Sequence, residues 1–139
     1  MKKYLFSIVV MAVFAIGFAA SDDEEVAEKL VGNYVVVDSK GTTWYFTFTT
    51  EHKSVTVKSK GMSDDDMYYG DWCPQNIDSW LCSLNFISFH AGNPPIEFPN
   101  GSVAPSGETI EISDDGWIYN GSDNLKAKNP KARLKMTKQ

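Results

Sequence analysis

The sequence contains few of the residues and motifs from which catalytic and metal centres are built. Its 139 residues include only two cysteines and two histidines. It has no phosphate-binding loop, no glycine-rich dinucleotide fingerprint, no nucleophile elbow and no HExxH zinc motif. We therefore predict no catalytic residues, no metal ligands and no cofactor, and we expect that the protein is not an enzyme.

Positive charge is also scarce. Thirteen Lys and Arg residues stand against 18 Asp and Glu residues, which gives a formal net charge of −5. Proteins that bind nucleic acid generally need a basic surface for phosphate contacts, so nucleic acid is not expected as a partner. The length allows one domain of ordinary size.

The N-terminal segment has the pattern of an export signal. Lys2 and Lys3 precede an uncharged apolar stretch, and small residues follow at the predicted cleavage site after Ala19 or, alternatively, Ser21. We expect residues 1–19 to be a signal peptide and the mature protein to be periplasmic or extracellular. Association with a membrane is expected only if this segment is retained, and no cysteine near the cleavage site could carry a lipoprotein anchor.

The remainder of the chain is predicted to be a short acidic leader followed by a single domain. Residues 20–27 include four consecutive acids, which favour a solvated segment. The domain is expected to cover residues 28–139.

The domain reads as a series of short strands. Apolar and polar residues alternate with a period of two in several segments, and glycine-containing turns separate them. The predicted strands are 34–37, 44–49, 55–58, 80–89, 110–113, 117–119 and 132–136. This pattern predicts an all-β fold, an antiparallel up-and-down β-barrel of about eight strands, with a β-sandwich as the alternative.

Two segments interrupt this pattern. Residues 62–77 are predicted to be too irregular for a strand. Residues 91–107 contain four prolines and are interpreted either as a lid or as a rigid connector around a short edge strand at 96–98.

Cys73 and Cys82 are the only cysteines. Because the export signal indicates an oxidising compartment, we predict that they form a disulfide. Two separate thiols are the alternative.

The first predicted strand carries a short family motif. Gly32 and Tyr34, with one residue between them, resemble the G-x-W motif that opens the first strand of lipocalin-like (calycin-type) barrels, particularly the small exported proteins of this type in Bacteroidota. The resemblance implies an eight-stranded barrel. It also implies that Arg133, in the last strand, packs across Tyr34 and closes the base of the barrel through a cation–π contact.

Aromatic residues make up 13% of the chain and suggest where a ligand could bind. Small barrels use such residues either to line a cavity or to fill the core, and both alternatives stay open here. The leading hypothesis is a non-enzymatic protein that holds a small apolar or amphipathic ligand inside the barrel. The cavity candidates are Trp44, Phe46, Phe48, Val55, Val57, Trp80, Leu84, Phe86, Ile110, Ile112 and Trp117.

The alternative hypothesis is a surface module that binds a glycan or another protein. It depends on three aromatic residues of the acidic 62–77 segment, where exposed rings could stack on sugars or contact a protein. These residues are Tyr68, Tyr69 and Trp72.

Overall fold

The computed structural model describes residues 22–86, 93–104 and 109–139. The predicted signal peptide and the end of the predicted 80–89 strand lie outside these ranges. Within them, no helix is long and apolar enough to cross a membrane. The elements in chain order are α1 (Asp22–Leu30), β1 (Gly32–Val37), β2 (Thr43–Phe48), β3 (Ser54–Ser59), β4 (Tyr68–Ile77), β5 (Trp80–Phe86), β6 (Ile110–Ser113), β7 (Trp117–Asn120), α2 (Ser122–Ala127), β8 (Arg133–Lys135) and β9 (Thr137–Lys138).

The strands form one antiparallel sheet that follows the order of the chain. The sheet runs from β8 through β7 and down to β1, and β9 then pairs with the free side of β1. Strands β8 and β9 lie at opposite edges of the sheet but are separated in sequence by Met136 alone. The two edges are therefore brought together, and the sheet curves into a nearly closed barrel. The predicted all-β, up-and-down architecture is confirmed.

The interior of the barrel is filled by one set of buried side chains in mutual contact, here called the core cluster. Stacked and edge-on aromatic pairs occur within it, with ring centroids of Phe46 and Phe48 6.1 Å apart and those of Tyr34 and Phe48 5.6 Å apart. Its members are Val26, Leu30, Tyr34, Val36, Trp44, Phe46, Phe48, Val55, Val57, Trp72, Leu81, Cys82, Leu84, Ile96, Phe98, Ala104, Ile110, Ile112, Ile118, Leu134 and Met136.

Strand β4 occupies most of the segment that was predicted to be irregular, so that prediction was wrong. Gly70 and Trp72 are buried while Tyr69, Asp71 and Cys73 are exposed, which is the alternation of a half-buried strand. Beyond Asp71, β4 pairs only with β5. A proline is tolerated at position 74 because this part of β4 has a ladder of hydrogen bonds on one side only.

Helix α1 covers one end of the barrel. Its Val26 and Leu30 side chains are fully buried in the core cluster, and Tyr34 donates a hydrogen bond from its hydroxyl to the Leu30 carbonyl oxygen (2.7 Å). Glu24 and Glu25 are exposed, as expected for an acidic leader. The prediction of a solvated leader over residues 20–27 is nevertheless wrong at Val26, because one apolar side chain per helical turn faces the core.

Part of the proline-rich segment covers the other end. Residues 93–104 include an isolated bridge between Glu97 and Val103, and Ile96, Phe98 and Ala104 belong to the core cluster. Asp38, at the end of β1, ties this segment to the sheet. Its carboxylate accepts hydrogen bonds from the Trp44 indole (3.0 Å) and from the Glu97 backbone N–H (3.2 Å).

The structure does not bring together the residues that were predicted to close the barrel. Arg133 lies over Trp117, with its guanidinium carbon 4.0 Å from the ring centroid, while the cation above Tyr34 is Lys138 at 5.8 Å. Leu134 belongs to the core cluster. Because neighbouring residues of a strand face opposite sides, Arg133 lies on the outside of the barrel. The predicted contact between Tyr34 and Arg133 is therefore wrong.

The predicted disulfide is also contradicted, because both thiols are free and the two cysteines are not at bonding distance. Cys73 lies opposite Ser83, and Cys82 lies opposite Pro74. The cysteines are therefore one position out of register on neighbouring strands, and their side chains face opposite sides of the sheet. Cys73 is exposed and Cys82 is buried, and burial raises the pKa of the Cys82 thiol.

We predict that the two thiols differ sharply in reactivity. Iodoacetamide should alkylate Cys73 in the native protein, because it is exposed in a shallow cleft beside Lys53. Cys82 should react only after denaturation, since its thiol is buried and is held protonated. Mass spectrometry of native and denatured samples, both without reductant, measures this directly. A protein that takes up no label in either sample would restore the disulfide.

Asp38 is predicted to make the fold sensitive to acid. Burial opposes ionisation of its carboxyl, but hydrogen bonds from the Trp44 indole and from the backbone of Thr42, Glu97 and Lys40 outweigh burial and lower its pKa. The stabilisation is thus complete above the unfolded pKa of about 3.9 and is lost as the pH falls through the folded value.

The Asp38→Asn variant should be less stable at pH 7 by about 1–3 kcal/mol. The N–H₂ group of the new asparagine would face N–H donors that now bond to a carboxylate oxygen. The urea midpoint of the variant should also vary less between pH 7 and pH 3 than that of the wild type. Asp114→Asn, at an exposed position, is the matched control. Equal acid sensitivity of the wild type and Asp38→Asn would contradict the assignment.

Candidate functional site

Most of the predicted cavity residues belong to the packed core. These eight are Trp44, Phe46, Phe48, Val55, Val57, Leu84, Ile110 and Ile112. Phe86 is half-buried and packs against the same cluster. Both ends of the barrel are covered, one by α1 and the other by residues 93–104. Of the two alternatives left open by the sequence, the observed contacts match the filled core.

Two of the three aromatic residues on which the surface hypothesis depends are not exposed. Trp72 is 2% exposed, and its indole N–H donates to the Thr49 carbonyl oxygen (2.9 Å). Tyr68 is half-buried against the core, with its ring 6.1 Å from that of Trp44. Tyr69 alone is exposed. The prediction of an exposed aromatic cluster in this segment is therefore wrong, because β4 turns Tyr68 and Trp72 inward.

Two of the cavity candidates, Trp80 and Trp117, lie on the outer face of the sheet. The register between β5 and β6 shifts between Trp80 and Cys82, so the strand carries Cys82 inward but leaves Trp80 outside. Trp117 precedes the buried Ile118 and lies beneath the cations Arg133 and Lys135. The outward position of Trp80 could not be found from simple alternation, which does not show where a bulge occurs. Strand β7 is paired without a register shift, so the outward position of Trp117 follows from its alternation with Ile118.

A cleft of about 610 Å³ opens beside Trp80 on this outer face, and we call it the outer cleft. It lies between the turn that joins β4 to β5 and the C-terminal end of α2. Its lining residues are Ile77, Asp78, Ser79, Trp80, Leu125, Lys126 and Lys128.

The walls of the outer cleft combine apolar surface with positive charge. Ile77 is 57% exposed although it is a large aliphatic residue, and Leu125 of α2 is buried outside the core cluster. The Lys126 ammonium group lies over the Trp80 ring at 5.7 Å from its centroid. This is a cation–π contact that keeps the lysine at the edge of the cleft.

Local backbone conformation explains why these side chains meet. Asn76 and Asp78 have positive φ angles of 46° and 52°, which turn the chain sharply between β4 and β5. Helix α2 ends at Ala127 and is capped by Lys128, which adopts the left-handed conformation with φ 52° and donates its N–H to the Asn124 and Leu125 carbonyl oxygens. The short helix was not predicted, because it is too short to show a helical period.

A buried carboxylate fixes the orientation of Trp80. Glu111 is 1% exposed, and its Oε1 accepts a hydrogen bond from the Trp80 indole N–H (2.9 Å). The hydroxyl groups of Ser83 and Thr109 also donate to this carboxylate. Alternation along β6 correctly puts Glu111 on the face of the sheet opposite to that of Ile110 and Ile112. Helix α2 packs over this face at β6 and β7, so the Glu111 side chain is removed from solvent.

A second, much smaller hollow adjoins the outer cleft, and we call it the polar hollow. Its volume is about 30 Å³, enough for one water molecule. Its lining residues are Ser79, Ser113, Asp115, Tyr119, Leu125, Lys128 and Arg133.

The outer cleft has the features of a binding site. Volumes of 300–1,000 Å³ with mainly apolar walls and a few polar groups are typical of sites for small molecules. Among the described residues, no group of three or more His, Cys, Asp or Glu side chains could hold a metal ion.

Comparison with family models, curated proteins and solved structures finds no match to this chain. The resemblance to lipocalin-like proteins stays a prediction.

We predict that Glu111 is required to hold Trp80. Glu111→Gln should lower the free energy of unfolding by about 1–3 kcal/mol, because an amide N–H₂ would then face one of the three donors. It should also shift the tryptophan fluorescence of the folded protein, since the hydrogen-bond acceptor of the Trp80 indole changes. Glu51→Gln, at an exposed position, is the control. Unchanged stability and fluorescence would show that the carboxylate does not position Trp80.

Proposed function

We propose that this protein is a non-enzymatic binding protein that holds a small amphipathic molecule in the outer cleft. The observation that carries the proposal is the combination of an exposed aliphatic residue, Ile77, with the Trp80 ring in a recess of about 610 Å³. Large exposed apolar side chains that line a concave surface typically mark a binding site. The fixed Trp80 ring gives the ligand a rigid surface to stack on.

This proposal keeps the expected class of ligand but moves it from the inside of the barrel to the outside. A ligand in the interior would have to displace members of the core cluster, such as Phe46, and pass α1 or residues 93–104. Creating such space costs several kcal/mol for each large side chain displaced. The outer cleft needs no displacement.

The proposal also places the protein outside the cytoplasm, and the support for this is the signal-peptide pattern of residues 1–19. Export suits a binding protein that meets its ligand in the periplasm or the medium. A ligand that is only sparingly soluble in water would gain from a carrier there.

The outer cleft should bind neutral apolar probes at one site. Titration with N-phenyl-1-naphthylamine should give saturable fluorescence enhancement. Ile77→Asp should weaken the affinity for the probe at least about ten-fold, because about 1.5 kcal/mol of apolar burial is lost and a charge is introduced. Val37→Asp is the matched control, since Val37 is also aliphatic and 55% exposed but does not line the cleft.

Two results would contradict the proposal. The first is no saturable binding of apolar or amphipathic probes by the wild-type protein. The second is equal weakening by Ile77→Asp and Val37→Asp, since that would place the probe elsewhere.

A further inference from the structure

The outer cleft and the polar hollow lie side by side and share part of their lining. Ser79, Leu125 and Lys128 line both of them. The larger recess offers apolar surface from Ile77 and Trp80, whereas the smaller one has room for only a few atoms and is lined mainly by polar groups. The two recesses therefore adjoin, and we consider them together as one combined site, with apolar surface in the outer cleft and polar groups in the hollow.

Cations outnumber acids around this combined site. The cations are Lys126, Lys128 and Arg133, and the acids are Asp78 and Asp115. Among the described residues, the two salt bridges, Lys53–Asp23 and Lys58–Asp64, involve none of these cations.

The acids near the site already have hydrogen-bond donors or face solvent. Asp115 accepts a hydrogen bond from the Ser113 hydroxyl (2.5 Å), and Asp78 is exposed in the turn between β4 and β5. Glu111 lies behind the Trp80 ring, and three side-chain donors satisfy its carboxylate. The polar hollow is thus lined by two cations, Lys128 and Arg133, and one acid, Asp115, so that positive charge is in excess at this end.

The cations have hydrogen-bonding capacity to spare. Arg133 uses one N–H group in a hydrogen bond to the Tyr119 hydroxyl (3.0 Å), and its guanidinium carbon lies 4.0 Å from the centroid of the Trp117 ring. That leaves other N–H groups of its five for an acceptor. Lys128 is exposed and lines both recesses, so its ammonium group can reach a ligand atom at the junction.

We infer that the ligand is an amphipathic carboxylate or a similar small anion, with its charged group between Lys128 and Arg133 and its apolar body against Trp80 and Ile77. This inference rests on the proposed function and adds the chemical class and the orientation of the ligand. The charged end is recognised by two cations, and the hydrocarbon end is recognised by burial alone.

The test compares two ligands that differ only at the polar end. Binding of dodecanoate and of 1-dodecanol is measured by displacement of the neutral probe N-phenyl-1-naphthylamine. The wild-type protein should prefer dodecanoate by about ten-fold, because a hydrogen-bonded ion pair replaces a neutral contact. In Lys128→Asn the preference should fall to about three-fold or less, because one of the two cations at the polar end is removed. Asparagine suits this position because it tolerates the left-handed backbone conformation.

Lys131→Asn is the control for the general effect of charge. Lys131 lies three residues away and is exposed but lines neither recess, so the preference for dodecanoate should be kept. Equal affinity of the wild type for both ligands, or an unchanged preference in Lys128→Asn, would overturn the inference and leave the proposed function intact. Failure of both ligands and of the probe to bind would overturn the proposed function itself.

Discussion

The structure depends on the closure of its sheet by the last residues of the chain. Strands β8 and β9 form the two opposite edges of the sheet, where they pair with β7 and β1, and only Met136 separates them in sequence. Near-closure brings together the two edges, which would be far apart in an open sheet. It also encloses the inward-facing side chains on all sides, so that the barrel needs only two covers, α1 at one end and residues 93–104 at the other.

Closure decides where binding can occur. Among the described residues, aromatic and aliphatic side chains occupy the interior, and the site that we propose lies on the outside. Helix α2 provides it, because it packs over β6 and β7 and leaves a recess beside the turn between β4 and β5. The buried carboxylate of Glu111 then holds Trp80 in the wall of that recess. The proposed site is thus built on rigid elements, and binding requires no opening of the barrel.

The sequence predicts the architecture better than the site, and the reason is the range of the interactions involved. Alternation in segments such as 44–49 and 110–113 follows directly from the period of a strand, so the all-β barrel could be predicted. Pairing register is not local. The disulfide failed because Cys73 and Cys82 are one position out of register, and the bulge that turns Trp80 outward has no signature in composition. For β4 a signal was present, since Tyr68, Gly70 and Trp72 alternate with Tyr69, Asp71 and Cys73, but Pro74 and the acidic residues masked it.

The four tryptophans allow a direct test of the central claim that ligand binds outside a filled barrel. Trp44 and Trp72 belong to the core cluster, and their indole N–H groups donate to Asp38 and Thr49. Trp80 lines the outer cleft, and Trp117 lies under Arg133. Nuclear magnetic resonance resolves one indole N–H signal for each of them. On titration with dodecanoate the Trp80 signal should shift to saturation, while the Trp44 and Trp72 signals should not move. Shifts of Trp44 and Trp72 with an unmoved Trp80 would place the ligand inside the barrel and contradict the account.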